Sequence, residues 1–493
     1  MISFVKKNKG AFLIGVIIFS AIAISVFTAF ISWTVTTSRM SRRAYLKEQA
    51  FQIAEAGTDY YRWHLAHNKT DFQDGTGVAG PYTHNFEDKD GNVIGQFILT
   101  ITPPVTGSTV VKVRSVGKVT EDATISRTIE TKLAIPSFAK WAVVANDEMR
   151  FGEGTEVFGP IHSNYGVRFD GVAHNLVTSA QTSYDDPDHS ESPIKLEFGV
   201  HTHVKPPPLT GTYTTYVSAE TPPSTVSSRS DVFMAGRQFP VSQADFAGIT
   251  ANLSQMKTDA IASGRYFAAS GYQGYHIVLK TNDTFDLYRV TSQTGLSNSC
   301  SQNSNGGDAT WGSWSINPSN GETLLGNYTF PSNGLIFAED NVWVSGQINT
   351  ARITIAAGKF PDNVSTRKNI TINSDLLYTN YDGQDVLALI AQNNINVGFS
   401  SSNIIRIDGA LIAQNGRVGR YYYDNSCGTG YVRDSITLYG MIATNQRYGF
   451  AYTDGTGYQN RNLTYDGSLL YAPPPSFPLT SSSYSTISWQ EIN

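Results

Sequence analysis

The chain has 493 residues, enough for two or three domains with sizeable cores. A net charge of −5 and a charged fraction of 16 % exclude the basic domain of a nucleic-acid-binding protein. The 43 Gly, 26 Tyr and 25 Phe form a β-rich, surface-protein composition.

The first element follows the stretch MISFVKKNKG. Residues 11–35, AFLIGVIIFSAIAISVFTAFISWTV, carry no charge and are long enough to cross a bilayer as a helix. That run is longer than the apolar core of a secretory signal. The sequel TTSRMSRRAYLKEQAFQIAEAGTDYYRWHLA has no proline and is rich in helix formers. Met40, Ala44, Phe51, Ala54, Thr58, Tyr61 and Leu65 recur at three-and-four spacing. One helix over about 11–66 is predicted, apolar all round in its first half and amphipathic in its second. Lysines precede the span and arginines follow it, so charge alone does not set its orientation. The short basic leader and the exported-looking composition place the N-terminus inside.

KNKG before AFLIGVIIF resembles the leader of type IV prepilins and related pseudopilins, and AFQIAEAG (50–57) is similar to the helix of PilX-type minor pilins. The resemblance implies that a prepilin peptidase cuts after Gly10, leaving Ala11 as the new N-terminus and the helix as filament core. It also implies other pilin subunits and an assembly platform as partners. Major pilins of the family carry Glu at the fifth mature position, where this chain has Gly15. That glutamate pairs with a neighbour's terminal amine, and its absence is typical of tip subunits. The residues also allow a simple membrane anchor.

Downstream, residues 93–102, 109–119 and 123–134 alternate apolar and polar, which predicts a small antiparallel sheet. Asp88 and Asp90 in DKDG suggest a calcium loop, but the twelfth position is Leu99, so a hairpin turn is the reading. Beyond residue 136 a loose repeat appears, in which Asp147, Asn164, Asp340, Asn393, Asn415 and Asn445 share one position. Short strands with a turn residue at fixed offset predict the stacked coils of an irregular β-solenoid, with these side chains aligned in a ladder. Pro/Ser/Thr-rich segments, a helix at 242–264 and a hairpin mark 205–330 as an inserted lobe. The region 137–493 resembles the β-helical domain that follows PilX-type N-termini, through GPIHSN…FDG and LLYAPPP…SWQEI. No activity is established for that domain.

The predicted fold is thus a long α-helix, transmembrane in its first half, plus an all-β body. Its predicted segments are a leader at 1–10, a helix at 11–68, a small antiparallel domain at 69–136 and first solenoid coils at 137–204. An inserted lobe at 205–330, the main solenoid at 331–450 and an extended tail at 451–493 follow.

Motifs for phosphate loops, zinc proteases and nucleophile elbows are missing from the sequence. The best polar cluster lies between residues 162 and 203. Its weak metal-ligand candidates are His162, His174, Asp188, His189, His201 and His203, with Asp185 and Asp186 beside them. HTH spacing on a strand puts His201 and His203 on one face. The plainer reading is a solvated loop, and neither a metal nor another cofactor is expected. Asp382, Asp385 and Asp408 are the carboxylates a glycosidase would need, but no telling spacing links them, so an enzyme is not expected. Cys300 and Cys427 offer one disulfide pairing in an exported domain. At least one of Tyr421, Tyr422 and Tyr423 must be buried if the run is a strand.

The function expected is a minor, tip-type pilin-like subunit of a type IV filament or related secretion system. It would be held in the inner or cytoplasmic membrane by residues 11–35 with an extracytoplasmic head, and would reach the cell surface on assembly. The alternative is a membrane-anchored protein that binds or degrades surface polysaccharide, with glycans as partners.

Overall fold

The computed structural model describes residues 9–105, 107–189, 191–297, 300, 312–479 and 483–492, with backbone alone at 9–11 and 247–252. Residues 1–8 of the leader expected at 1–10 and the loop SQNSNGGDATW lie outside the described residues. The chain forms two compact units, one of Met1–Pro103, Val111–Ala134 and Ser483–Asn493, the other of Pro104–Val110 and Ile135–Ser482.

In the first unit one unbroken helix spans Lys9–His67. Its N-terminal half presents apolar side chains on every side, and Phe12, Phe19, Phe27 and Trp33 are all exposed. Phe12–His67 is long and apolar enough to cross a membrane. Ser25, Thr28, Thr34 and Thr36 turn their hydroxyls back onto carbonyls four residues earlier, which satisfies them without water.

The helix then becomes one-sided. Leu46, Ala50, Ile53, Ala54, Thr58, Tyr61 and Leu65 are buried. The predicted stripe is right from Ala54 onward, but Met40 is exposed, and Phe51 packs edge-on against Trp489. The buried face lies on a five-stranded antiparallel sheet ordered Tyr82–Glu87, Val93–Thr102, Val111–Val119, Ser126–Ala134 and Ser485–Ile492. Glycines permit the close approach. A β-carbon at Gly117 would overlap the backbone of Ala50 and Ala54, and one at Gly57 would overlap Ser115 and Phe97.

The second unit is built on a 21-stranded, mostly parallel sheet among the described residues. One ladder runs from Leu335–Ala338 through Arg352–Ala357, Val386–Ala391, Ile404–Ala413 and Val432–Thr444. It continues into Val143–Ala145, Ile161–Ser163 and Val177–Ser179, so the early segments of the unit stack after its late ones. These strands are buried on both faces, as in VLALIA at 386–391. Leu387, Leu389 and Ala391 face one core, while Val386, Ala388 and Ile390 face another. The second core is covered by Leu253, Met256 and Ala260 of the helix Ala247–Ser263.

Asparagines link the coils. Asn393 donates to Asn369 at 3.1 Å, and Asn369 to Asn341 at 3.2 Å. Asn164 donates to Asn146 at 2.7 Å, and Asn146 to Asn445 at 3.0 Å. Asn445 and Asn415 donate to the carbonyls of Asn415 and Gln392. Asp147 and Asp340, in the predicted frame, give way in this ladder to Asn146 and Asn341. A carboxylate only accepts and cannot relay a bond.

Two segments differ from expectation. Residues 205–330 do not form a separate lobe throughout. Arg265–Phe267 pairs with Leu335–Ala338 and Gly274–Leu279 with Val342–Ile348, both in parallel, because half-buried strands find partners at the sheet edge. Residues 451–493, expected as one tail, supply Gly457–Tyr465 to the large sheet and Ser485–Ile492 to the small one.

Candidate functional site

The strands nearest the polar cluster are short. Ser183–Tyr184 pairs antiparallel with Glu197–Phe198, and Val200–His201 pairs in parallel with Val167–Phe169. The intervening residues return the chain on itself, so that side chains from both ends of the loop meet. Glu197 and His201 stand on two short strands divided by a bend at Gly199, and His203 follows two residues after His201.

There they form a buried cluster with Asp186. One ligand atom from each of the four residues lies within 4.8 Å of the other three. Nε2 of His201 is 3.2 Å from Glu197 Oε2 and 3.5 Å from Asp186 Oδ2, and Nε2 of His203 is 2.9 Å from Glu197 Oε1. The side chains of Glu197, His201 and His203 are fully buried, and that of Asp186 nearly so. His189 adds a third imidazole, its Nε2 2.8 Å from Glu197 Oε2 and its Nδ1 2.8 Å from Glu191. Arg168 approaches Asp186 Oδ2 at 3.2 Å while also pairing with Asp170.

The rings are oriented from behind. Nδ1 of His201 faces the Phe198 carbonyl at 3.3 Å and Nδ1 of His203 faces the Tyr213 carbonyl at 3.2 Å. A carbonyl only accepts, so each Nδ1 carries the proton and each Nε2 is turned to the cluster. His201 Nε2 is buried and, despite two nearby carboxylates, makes a hydrogen bond to neither. Burial works against charge on Asp186 and Glu197, yet the facing imidazoles hold both well below the usual carboxylate range. Burial likewise opposes the His201 imidazolium, and the two carboxylates outweigh it, carrying its pKa to about 9. The arrangement has the chemistry of a site for either protons or a cation.

Of the sequence candidates, His189, His201 and His203 come together. His162 instead stacks on Trp141 and meets Thr178 and Asn164. His174 stacks on Phe158 and pairs with Glu156. Asp188 turns away to Arg150 at 3.4 Å and Arg447 at 2.6 Å. Glu197 is not among the sequence candidates, and nothing local in the sequence signals it.

The carboxylates considered for glycoside chemistry serve the backbone. Asp385 accepts from the N–H groups of Ala351, Thr379 and Asn380. Asp408, fully buried, accepts from Tyr378 N–H, the Tyr381 hydroxyl and Arg406. Asp382 holds the turn at Gln384. Cys300 and Cys427 are joined in a disulfide. Tyr421 and Tyr423 are buried beside it, and Tyr422 donates to Asp454 at 2.7 Å.

A separate groove of about 1490 Å³ runs along the same unit, lined by Tyr421, Tyr422 and Tyr452 with Arg417, Arg447 and Glu148. Pro187 and Asp188 also line it, which places the loop of the histidine cluster at its wall.

No family model matches the chain. No curated protein matches it either. Among solved structures, the competence-associated pilin ComZ from Thermus thermophilus aligns over 91 % of this chain and 98 % of its own at 13 % identity, with a TM-score of 0.29. A similarity of that size transfers neither architecture nor activity.

Proposed function

We propose that the protein is a pilin-like subunit of a type IV filament or related secretion system, with a tip or minor position. The observation that carries this reading is the helix Lys9–His67. A bare anchor needs about 20 apolar residues. This helix continues without a break and closes against an antiparallel sheet through its own small residues, Ala50, Ala54 and Gly57. Its exposed apolar half suits lipid first and neighbouring helices afterwards. On this reading a prepilin peptidase cuts after Gly10, other pilins and an assembly platform are the partners, and the β-solenoid body is displayed outside the membrane. Gly15 lacks the carboxylate that would neutralise a neighbour's amine, which suits a filament end. A body of this bulk is also hard to repeat at close helical spacing.

The test is a Gly10→Val variant expressed in the source cell. The leader should remain on the protein, and the variant should be missing from sheared surface filaments. Incorporation at the wild-type level would contradict the proposal. The groove favours a second reading, a surface protein that binds polysaccharide, since tyrosine faces beside arginine and carboxylate groups suit sugar rings. Loss of glycan retention in Tyr422→Ala would support it.

A further inference from the structure

We propose that Asp186, Glu197, His201 and His203 bind one zinc ion, which ties the two ends of the 186–203 segment together. The inference is independent of the filament reading. Four ligands about 2.1 Å from a tetrahedral zinc lie about 3.4 Å from one another. His201 Nε2 lies 3.2 Å from Glu197 Oε2 and 3.5 Å from Asp186 Oδ2, His203 Nε2 lies 2.9 Å from the other Glu197 oxygen, and one ligand atom from each of the four residues fits within 4.8 Å of the rest. The ligand types, two imidazole nitrogens and two carboxylate oxygens, suit a divalent first-row ion.

The second observation is the aim of the rings. Backbone carbonyls take the Nδ1 protons of His201 and His203 and so turn both Nε2 atoms toward carboxylate oxygens, where His203 Nε2 hydrogen-bonds to Glu197 Oε1 at 2.9 Å. His201 Nε2 is fully buried between Glu197 and Asp186 and makes no hydrogen bond there, so a buried polar atom is aimed into the cluster unsatisfied.

Outer groups hold the ligands in place. His189 and the Val217 N–H bond to Glu197, Glu191 orients His189, and the Asp188 N–H fixes Asp186. All four ligands come from the chain and are buried, which describes a closed structural site with no position for substrate. Its mechanical consequence lies next door. Asp188, two residues from a ligand, pairs with Arg150 and Arg447 at the groove wall. Fastening the loop therefore fixes one side of the groove.

The experiment uses the full chain in detergent, carrying no polyhistidine tag. After dialysis against zinc and then metal-free buffer, elemental analysis should find about one zinc per chain. Glu197→Gln and His203→Ala should each retain at least tenfold less, while His174→Ala, an outlying histidine paired with Glu156, should keep the wild-type amount. To separate loss of binding from loss of fold, the wild type is also melted. Excess EDTA should lower the midpoint by at least about 5 °C, and added zinc should restore it. Wild-type protein retaining less than a tenth of an equivalent, or a midpoint indifferent to EDTA and zinc, would overturn the proposal. So would undiminished zinc in folded Glu197→Gln.

Discussion

Glu148 shows how burial sets the behaviour of a single residue. Burial first, then a hydrogen bond with Asp147 and repulsion from it, pushes its pKa from 4.5 to about 7. The folded state therefore holds this proton more tightly than the unfolded chain. Its contribution to stability is present below about pH 4.5 and is lost as pH rises through about 7. Between those values the wild type should lose stability relative to Glu148→Gln, which carries no titrating group. Parallel urea titrations of the two proteins from pH 4.5 to 7.5 measure the difference, and identical slopes would show that Glu148 ionises normally. Burial and spacing also decide what single residues disclosed in the sequence. His201 and His203 were legible through their spacing. Asp186 was named beside the candidates, whereas Glu197 became ligand-like only once the loop closed, because nothing local shows what meets it. Asp408 is the converse case. It was considered with Asp382 and Asp385 for glycoside chemistry, whereas its oxygens are taken by Tyr378, Tyr381 and Arg406.

Among elements, the long helix was the most legible, since an uncharged run followed by a three-and-four stripe has few other solutions. Where the stripe begins was less so. Met40 and Ala44 fit the period but remain exposed, because burial depends on where the sheet starts rather than on the helix. The strands Tyr82–Glu87 and Ser485–Ile492 were hidden in polar segments, and each takes an edge of the sheet, where one face and one backbone side stay open to water. The helix and sheet of the first unit approach closely between Gly117 and the helix backbone at Ala50 and Ala54. Gly117→Val should cost on the order of 2–3 kcal/mol, because the obstruction is main chain and cannot rotate away. Gly15→Ala, with open space around it, should leave stability unchanged. Thermal unfolding of both variants in detergent compares the two, and equal midpoints would mean that the helix can shift off the sheet at no cost.

For the whole molecule, the repeat of Asn and apolar residues announced stacked parallel strands, and the asparagine bonds between coils explain why that residue recurs. The order of the stack was not legible. Segments 143–179 follow 432–444 in the ladder, a long-range pairing that no local pattern encodes. What unites the pieces is the proposal that an assembly helix carries a large displayed body. That proposal makes one demand on the mature chain. Protein extracted from membranes of the source cell, analysed by N-terminal sequencing and intact mass, should begin at Ala11 with Gly10 and the residues before it gone. A mature chain that begins at Met1 would contradict the filament reading and leave the helix as an anchor.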